Sequence, residues 1–106
     1  MVNLVGRHLI SPNDLSLEEI STIVALGQKM KQDRAQYSEL CRGKILATLF
    51  YEPSTRTKLS FESAMLRMGG SILGFSDASS SSAAKGESIA DTIRVLASYA
   101  DVAVMR

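Results

Sequence analysis

Apolar positions along the chain switch between helical and strand spacing, and the switches divide it into elements. Leu17, Ile20, Val24 and Gly27 fall on one helical stripe that Ile23 and Met30 widen, and the polar run 31–34 ends it near Arg34. Just ahead, Ser16-Leu17-Glu18-Glu19 has the form of a capping box, in which the Ser hydroxyl satisfies a free N–H while Glu19 reaches back. A first helix is therefore predicted from Ser16. Gly43 then introduces Lys44-Ile45-Leu46-Ala47-Thr48-Leu49-Phe50, which is too short and too uniformly apolar for a surface helix. It reads as a buried parallel strand.

Pro53 breaks this strand and Ser54 opens a second helix, whose apolar face is expected to be Thr57, Phe61, Ala64, Met65 and Met68. Gly69-Gly70 stops it. Ser71 to Phe75 forms a second short strand, and the serine-rich stretch Ser76 to Ser82 with Gly86 beyond it reads as a loop. A third helix from about Ser88 places Ile89, Ile93, Leu96, Ala97 and Ala100 on one face, and Val102 to Met105 is a third strand. The order, a helix followed by β-α-β-α-β, predicts an α/β fold: a three-layer parallel sheet with helices on both faces and right-handed crossovers. In such sheets ligands sit beyond the carboxyl ends of the strands.

Composition narrows the function classes. The 106 residues make room for one domain, and a 45% hydrophobic content is enough to bury a core. With 12 Lys+Arg against 11 Asp+Glu the net charge is +1, which argues against a dedicated nucleic-acid binder. The start, MVNLVGRHLI, lacks the apolar core of a signal peptide, and no stretch approaches the roughly 18 apolar residues that span a bilayer. A single cysteine, Cys41, excludes an internal disulfide. The expectation is a soluble, cytoplasmic protein with no membrane, nucleic-acid or metal partner.

Candidate chemistry gathers where the strands end. Glu52-Pro53-Ser54-Thr55-Arg56-Thr57-Lys58 joins the first strand to the second helix. A helix start offers unpaired N–H groups and partial positive charge to an anion. Arg56 can grip a phosphate bidentately, and Ser54, Thr55 and Thr57 can donate to its other oxygens. Taken alone, Ser54 is equally an ordinary N-cap and Arg56 a solvated residue. Cations in a first turn oppose the helix dipole, which favours an anion there. The glycines of a P-loop are absent. The loop through Ser81 and Lys85 can close over an anion or be a plain linker, and Arg106, directly after the third strand, lies at the same sheet edge or is only a surface residue. His8, far from these motifs in sequence, reads as structural.

The string Phe50-Tyr51-Glu52-Pro53-Ser54-Thr55-Arg56-Thr57-Lys58-Leu59-Ser60-Phe61-Glu62 resembles the carbamoyl-phosphate signature of the aspartate and ornithine carbamoyltransferases. The likeness continues in register through Met68-Gly69-Gly70, Gly74-Phe75-Ser76, Lys85-Gly86-Glu87-Ser88, Asp91-Thr92 and Val104-Met105-Arg106, so it covers essentially the whole chain. The serine loop ending in Lys-Gly-Glu-Ser is more similar to that of the aspartate enzymes, which serve pyrimidine biosynthesis, than to that of the ornithine enzymes. Lys58 stands where the family commonly has Arg.

The resemblance implies a carbamoyl-phosphate-binding domain over residues 1–106, and a division of roles. Ser54, Thr55, Arg56 and Thr57 would hold the phosphate, with Arg56 stabilising the leaving group, while Thr57 and Arg106 polarise the carbonyl oxygen. Ser81 and Lys85 would enter the site of a neighbouring subunit, making the protein a homotrimer. Carbamoyl transfer needs charge neutralisation and oxyanion donors rather than a covalent nucleophile, and no cofactor is expected. Family enzymes also carry a second domain that binds the amino acid and a His-Pro-x-x-Gln segment. Neither is present, so the chain reads as an N-terminal portion whose first domain stops short of completion, inactive by itself. An ornithine-type fragment and a non-catalytic anion-binding or assembly module are the alternatives. A regulatory subunit or dihydroorotase partner is left open.

Overall fold

The computed structural model describes residues 2–75 and 86–106. The chain divides into two compact units, residues 1–36 and 37–106.

In the first unit, helix α1 spans Leu17–Gln32 and begins with the predicted capping box: Glu19 N–H donates to Ser16 Oγ at 3.1 Å and Ser16 N–H to Glu19 Oε1 at 2.8 Å. A second capping box, Ser11 with Asp14, opens the 3-10 turn Pro12–Asp14. Arg7 ties the two caps together, its guanidinium bonding the Glu19 carboxylate and, at 2.7 Å, the Asp14 carbonyl. Both carboxylates lie below their ordinary pKa. For Asp14 the cause is the N–H groups of Ser11 and Ile10, and for Glu19 it is Arg7 followed by Ser16. The apolar stripe of α1 is not buried; Leu17 is 84% exposed and Val24 54%. Capping and periodicity start the helix without requiring that its stripe be covered.

The second unit is built on a parallel three-stranded sheet in the order β2-β1-β3, with β1 at Ile45–Leu49, β2 at Ser71–Phe75 and β3 at Val102–Met105. The central strand is the core of the unit: Leu46, Ala47, Thr48, Leu49 and the adjoining Phe50 are all buried. Side chains alternate across a strand, so Ala47 and Leu49 share one face and Leu46 and Thr48 the other. Ala47 and Leu49 cluster with Leu96, and with the half-buried Ile93, of helix α3 (Ile89–Leu96). Thr48 instead meets Glu62 of helix α2 (Thr55–Arg67). The two helices therefore cover opposite faces, giving the expected three layers and explaining the unbroken apolar run of β1.

Helix α2 ends in a Schellman motif, with Gly69 N–H bonded to Leu66 O and Gly70 N–H to Met65 O. Gly69 carries the positive φ of +84° that this turn requires. The predicted inner face of α2 needs correction. Met65 is buried and Met68 half-buried, but Phe61 and Ala64 are exposed, and Lys58 and Glu62 turn inward instead. The carboxylate of Glu62 and the hydroxyl of Thr48 satisfy one another, which rotates the helix away from its purely apolar stripe. Of the face predicted for the third helix, Ile93 and Leu96 of α3 join the core, Ala100 joins it from beyond the helix end at Leu96, and Ile89 and the C-cap Ala97 stay exposed. Strand β3 is also more exposed than its composition suggests, with only Val104 half-buried.

Candidate functional site

The site is assembled by strand register. The pairing Leu49↔Met105 places Arg106 beside the chain leaving β1. There the Arg106 carbonyl accepts from Tyr51 N–H at 2.8 Å and Glu52 N–H at 3.1 Å, while Arg106 N–H donates to Leu49 O at 3.1 Å. On the other side of the loop Phe50 N–H donates to Phe75 O at 3.3 Å. The ring of Tyr51 stands edge-on to Phe75, with centroids 5.0 Å apart. The loop from β1 to α2 is thus held by main-chain bonds to both flanking strands, a rigid base for the groups it presents.

Those groups converge at the start of α2. Ser54 occupies the N-cap position, yet its side chain makes no capping bond. Its hydroxyl donates to Thr57 Oγ1 at 2.9 Å and accepts from Arg106 Nη1 at 2.7 Å, and the same guanidinium nitrogen lies 3.5 Å from Thr57 Oγ1. A plain cap would spend its oxygen on an N–H of the first turn, which Ser54 does not do. Ser54 instead joins residues 52 positions apart in a cluster of hydroxyls and a guanidinium. A hydroxyl has one proton and two lone pairs, so Thr57, accepting from Ser54, keeps its own proton for a ligand. Thr55 and Arg56 are exposed on the same turn, where free N–H groups and the helix dipole favour an anion.

Glu52 stands 3.9 Å from Arg106 Nη2, and its side chain is 70% exposed. The pair is loose and solvated, leaving the guanidinium its positive charge toward a ligand. The predicted Ser81 and Lys85 lie outside the described residues. His8 is exposed in the first unit, and Cys41 is a half-buried free thiol. Among the described residues no group of His, Cys, Asp and Glu could hold a metal ion, and no helix is long and apolar enough to cross a membrane.

Sequence reasoning missed the polar contacts beneath this turn. Lys58 Nζ bonds both oxygens of Glu62, at 3.0 and 2.9 Å, and Glu62 Oε2 accepts from the fully buried Thr48 at 3.0 Å. Two signals pointed there: a Lys and a Glu four residues apart on a helix, and a lone Thr inside an apolar strand.

Comparison with known proteins agrees with this geometry. Residues 7–106 match the family described as aspartate/ornithine carbamoyltransferase, carbamoyl-P binding domain. The aspartate carbamoyltransferase catalytic subunit of Alkaliphilus metalliredigens is 68% identical over 105 residues, which are 99% of this chain and 34% of that protein. The corresponding subunit of Lachnoclostridium phytofermentans is 68% identical over 94% of this chain and 33% of its own length. The chain thus spans about a third of the length of these relatives. Among solved structures, the catalytic subunit of M. jannaschii aspartate transcarbamoylase superposes with a TM-score of 0.84 at 53% identity, over 93% of this chain and 33% of that one. The Trypanosoma cruzi aspartate transcarbamoylase in complex with carbamoyl phosphate and aspartate also scores 0.84, at 42% identity over 95% of this chain and 34% of that one. The fold, the signature at the start of α2 and these likenesses together show that the chain belongs to the aspartate/ornithine carbamoyltransferase family, to its carbamoyl-phosphate-binding domain.

Proposed function

We propose that this chain supplies the carbamoyl-phosphate half-site of an aspartate carbamoyltransferase, which converts carbamoyl phosphate and L-aspartate into N-carbamoyl-L-aspartate and phosphate for pyrimidine biosynthesis. The observation that carries the reading is the Ser54, Thr57 and Arg106 cluster at the free N-terminus of α2. The first turn takes the phosphate dianion through its N–H groups, the Ser54 and Thr55 hydroxyls and the Arg56 guanidinium. The amine of aspartate attacks the carbonyl carbon, and the Thr57 hydroxyl and Arg106 meet the charge that grows on the carbonyl oxygen. As the tetrahedral centre collapses, the carbon–oxygen bond to phosphate breaks. Its electrons stay with the phosphate, where Arg56 neutralises them, and the amine proton leaves with it. Aspartate rather than ornithine is supported by the serine loop ending in Lys85 and by the names of the relatives.

Ser81 and Lys85 serve a neighbouring subunit in this reading, so the working enzyme is a homotrimer of the cytoplasm. Calorimetric titration of the chain with phosphonoacetate, whose phosphonate stands in for the phosphate of carbamoyl phosphate, tests the half-site. Saturable binding that Arg56→Ala abolishes is expected. Absence of binding, with the chain still associating with full-length catalytic subunits, would replace the reading with a non-catalytic assembly module.

A further inference from the structure

The contact between Thr48, Glu62 and Lys58 is expensive in the place where it lies. Thr48 is fully buried in the middle of β1, and the Glu62 and Lys58 side chains are only 12% and 22% exposed. Apolar side chains of similar size would cover the sheet at least as favourably, because withdrawing an ion pair from water offsets most of its attraction. Stability alone does not account for the choice. Opposite Thr48 in the register stands Gly74, with φ +151°, where a Cβ would lie 2.0 Å from the main-chain Thr48 O and 2.5 Å from Thr48 Oγ1, so the two strands approach closely at this point.

Its consequence is geometric. Glu62 is anchored to the centre of the sheet by Thr48 and one helical turn back grips Lys58 with both oxygens. Lys58 adjoins Thr57, and its N–H closes the first turn of α2 on Ser54 O at 3.0 Å. The turn that presents Ser54, Arg56 and Thr57 is therefore pinned from above by Arg106 and from below by the sheet. We propose that Thr48 and Glu62 are positioning residues for the phosphate turn, fixing the rotation of α2 about its axis so that Thr57 stays in hydrogen-bond reach of Ser54 and Arg106. This rests on the anion-site reading of the same turn and adds to it the device that sets its geometry.

Three variants of the chain test the proposal by calorimetric titration with phosphonoacetate, each measured well below its melting temperature in circular dichroism. Thr48→Val keeps the volume and removes the anchor, Thr48→Ser keeps the hydroxyl, and Glu62→Asp keeps the charge but draws the carboxylate back by one methylene. Thr48→Val and Glu62→Asp are expected to weaken binding roughly tenfold, the scale on which outer-shell supports act elsewhere. Thr48→Ser should stay within about twofold of the parent, since its anchor survives. A purely structural contact would lower the melting temperature of the variants and leave the affinity of the folded protein unchanged, and that result overturns the proposal. Failure of the parent chain to bind phosphonoacetate is a separate outcome, which removes the anion-site reading and with it this inference.

Discussion

Replacing Ser54 with Ala, and in parallel with Gly, separates a helix cap from a ligand-organising hydroxyl. As a cap, Ser54 would contribute about 0.5–2 kcal/mol to α2, lost on Ala substitution but almost wholly retained with Gly. Its side chain, however, bonds Thr57 and Arg106 and no first-turn N–H. A hydrogen bond to a charged donor is worth about 1.5–3 kcal/mol, but with Arg106 half-exposed the contribution falls toward ~1 kcal/mol. At about 1.4 kcal/mol per decade this is roughly a fivefold loss of affinity for phosphonoacetate, equal in Ala and Gly variants because neither carries the oxygen. Calorimetry gives the affinity, and amide hydrogen exchange at Arg56 and Thr57 gives the integrity of the turn, which should stay within about twofold of the parent since no capping bond is removed. Faster exchange in Ser54→Ala alone, with affinity unchanged in both variants, would return Ser54 to the role of an ordinary cap and refute the reasoning.

Other expectations follow from the same contacts. Gly74→Ala should destabilise the second unit by about 3 kcal/mol or more, because the new Cβ would meet the Thr48 main chain at 2.0 Å, with φ at +151°; urea unfolding reads this, and a parental midpoint would contradict the close approach. Leu96→Ala, emptying the α3 side of the core, should cost about 2–4 kcal/mol in the same assay, whereas Ile89→Ala, at a 50% exposed site, should cost less than about 1 kcal/mol. Asp14 and Glu19 have depressed folded-state pKa values, so their caps contribute stability above the ordinary carboxylate range, near pH 4, and lose it as the pH falls through the folded values. An NMR titration should show the Ile10 and Ser11 amides following Asp14 and the Ser16 amide following Glu19, each below the ordinary carboxylate range near pH 4; movement at higher pH, or none, would contradict the cap assignment.

What the sequence made legible was local. The capping box of α1, the apolar run of β1 and the paired glycines after α2 each declare themselves within a few residues, and each stands where it was read. The rotation of α2 was not legible, because it depends on a polar pair drawn from two elements: Thr48 in a strand and Glu62 in a helix, each ordinary by itself. Weighting the helix by its apolar residues put Phe61 inside, and the structure leaves it 44% exposed. The stripe of α1 shows the same limit in another form, since periodicity reports which face is apolar and says nothing of what covers it. The candidate site residues were legible as a motif, while the contact of Ser54 with Arg106 was not, because it joins two segments 52 positions apart.

That meeting follows from strand order. The chain leaves β1, crosses α2 over one face to β2 on one side, then passes α3 on the opposite face to β3 on the other side of β1. Ligands of such sheets sit beyond the carboxyl ends of the strands, where β1 here runs on into the first turn of α2. Arg106, directly after β3, meets that turn from the neighbouring strand. A site shared between residues 52 positions apart thus needs no long-range coincidence, only a central strand whose two neighbours are reached over opposite faces. It also sets what breaks the site: weakening the pairing of β3 with β1 would withdraw Arg106 and loosen Tyr51 and Glu52, even with every residue of α2 in place.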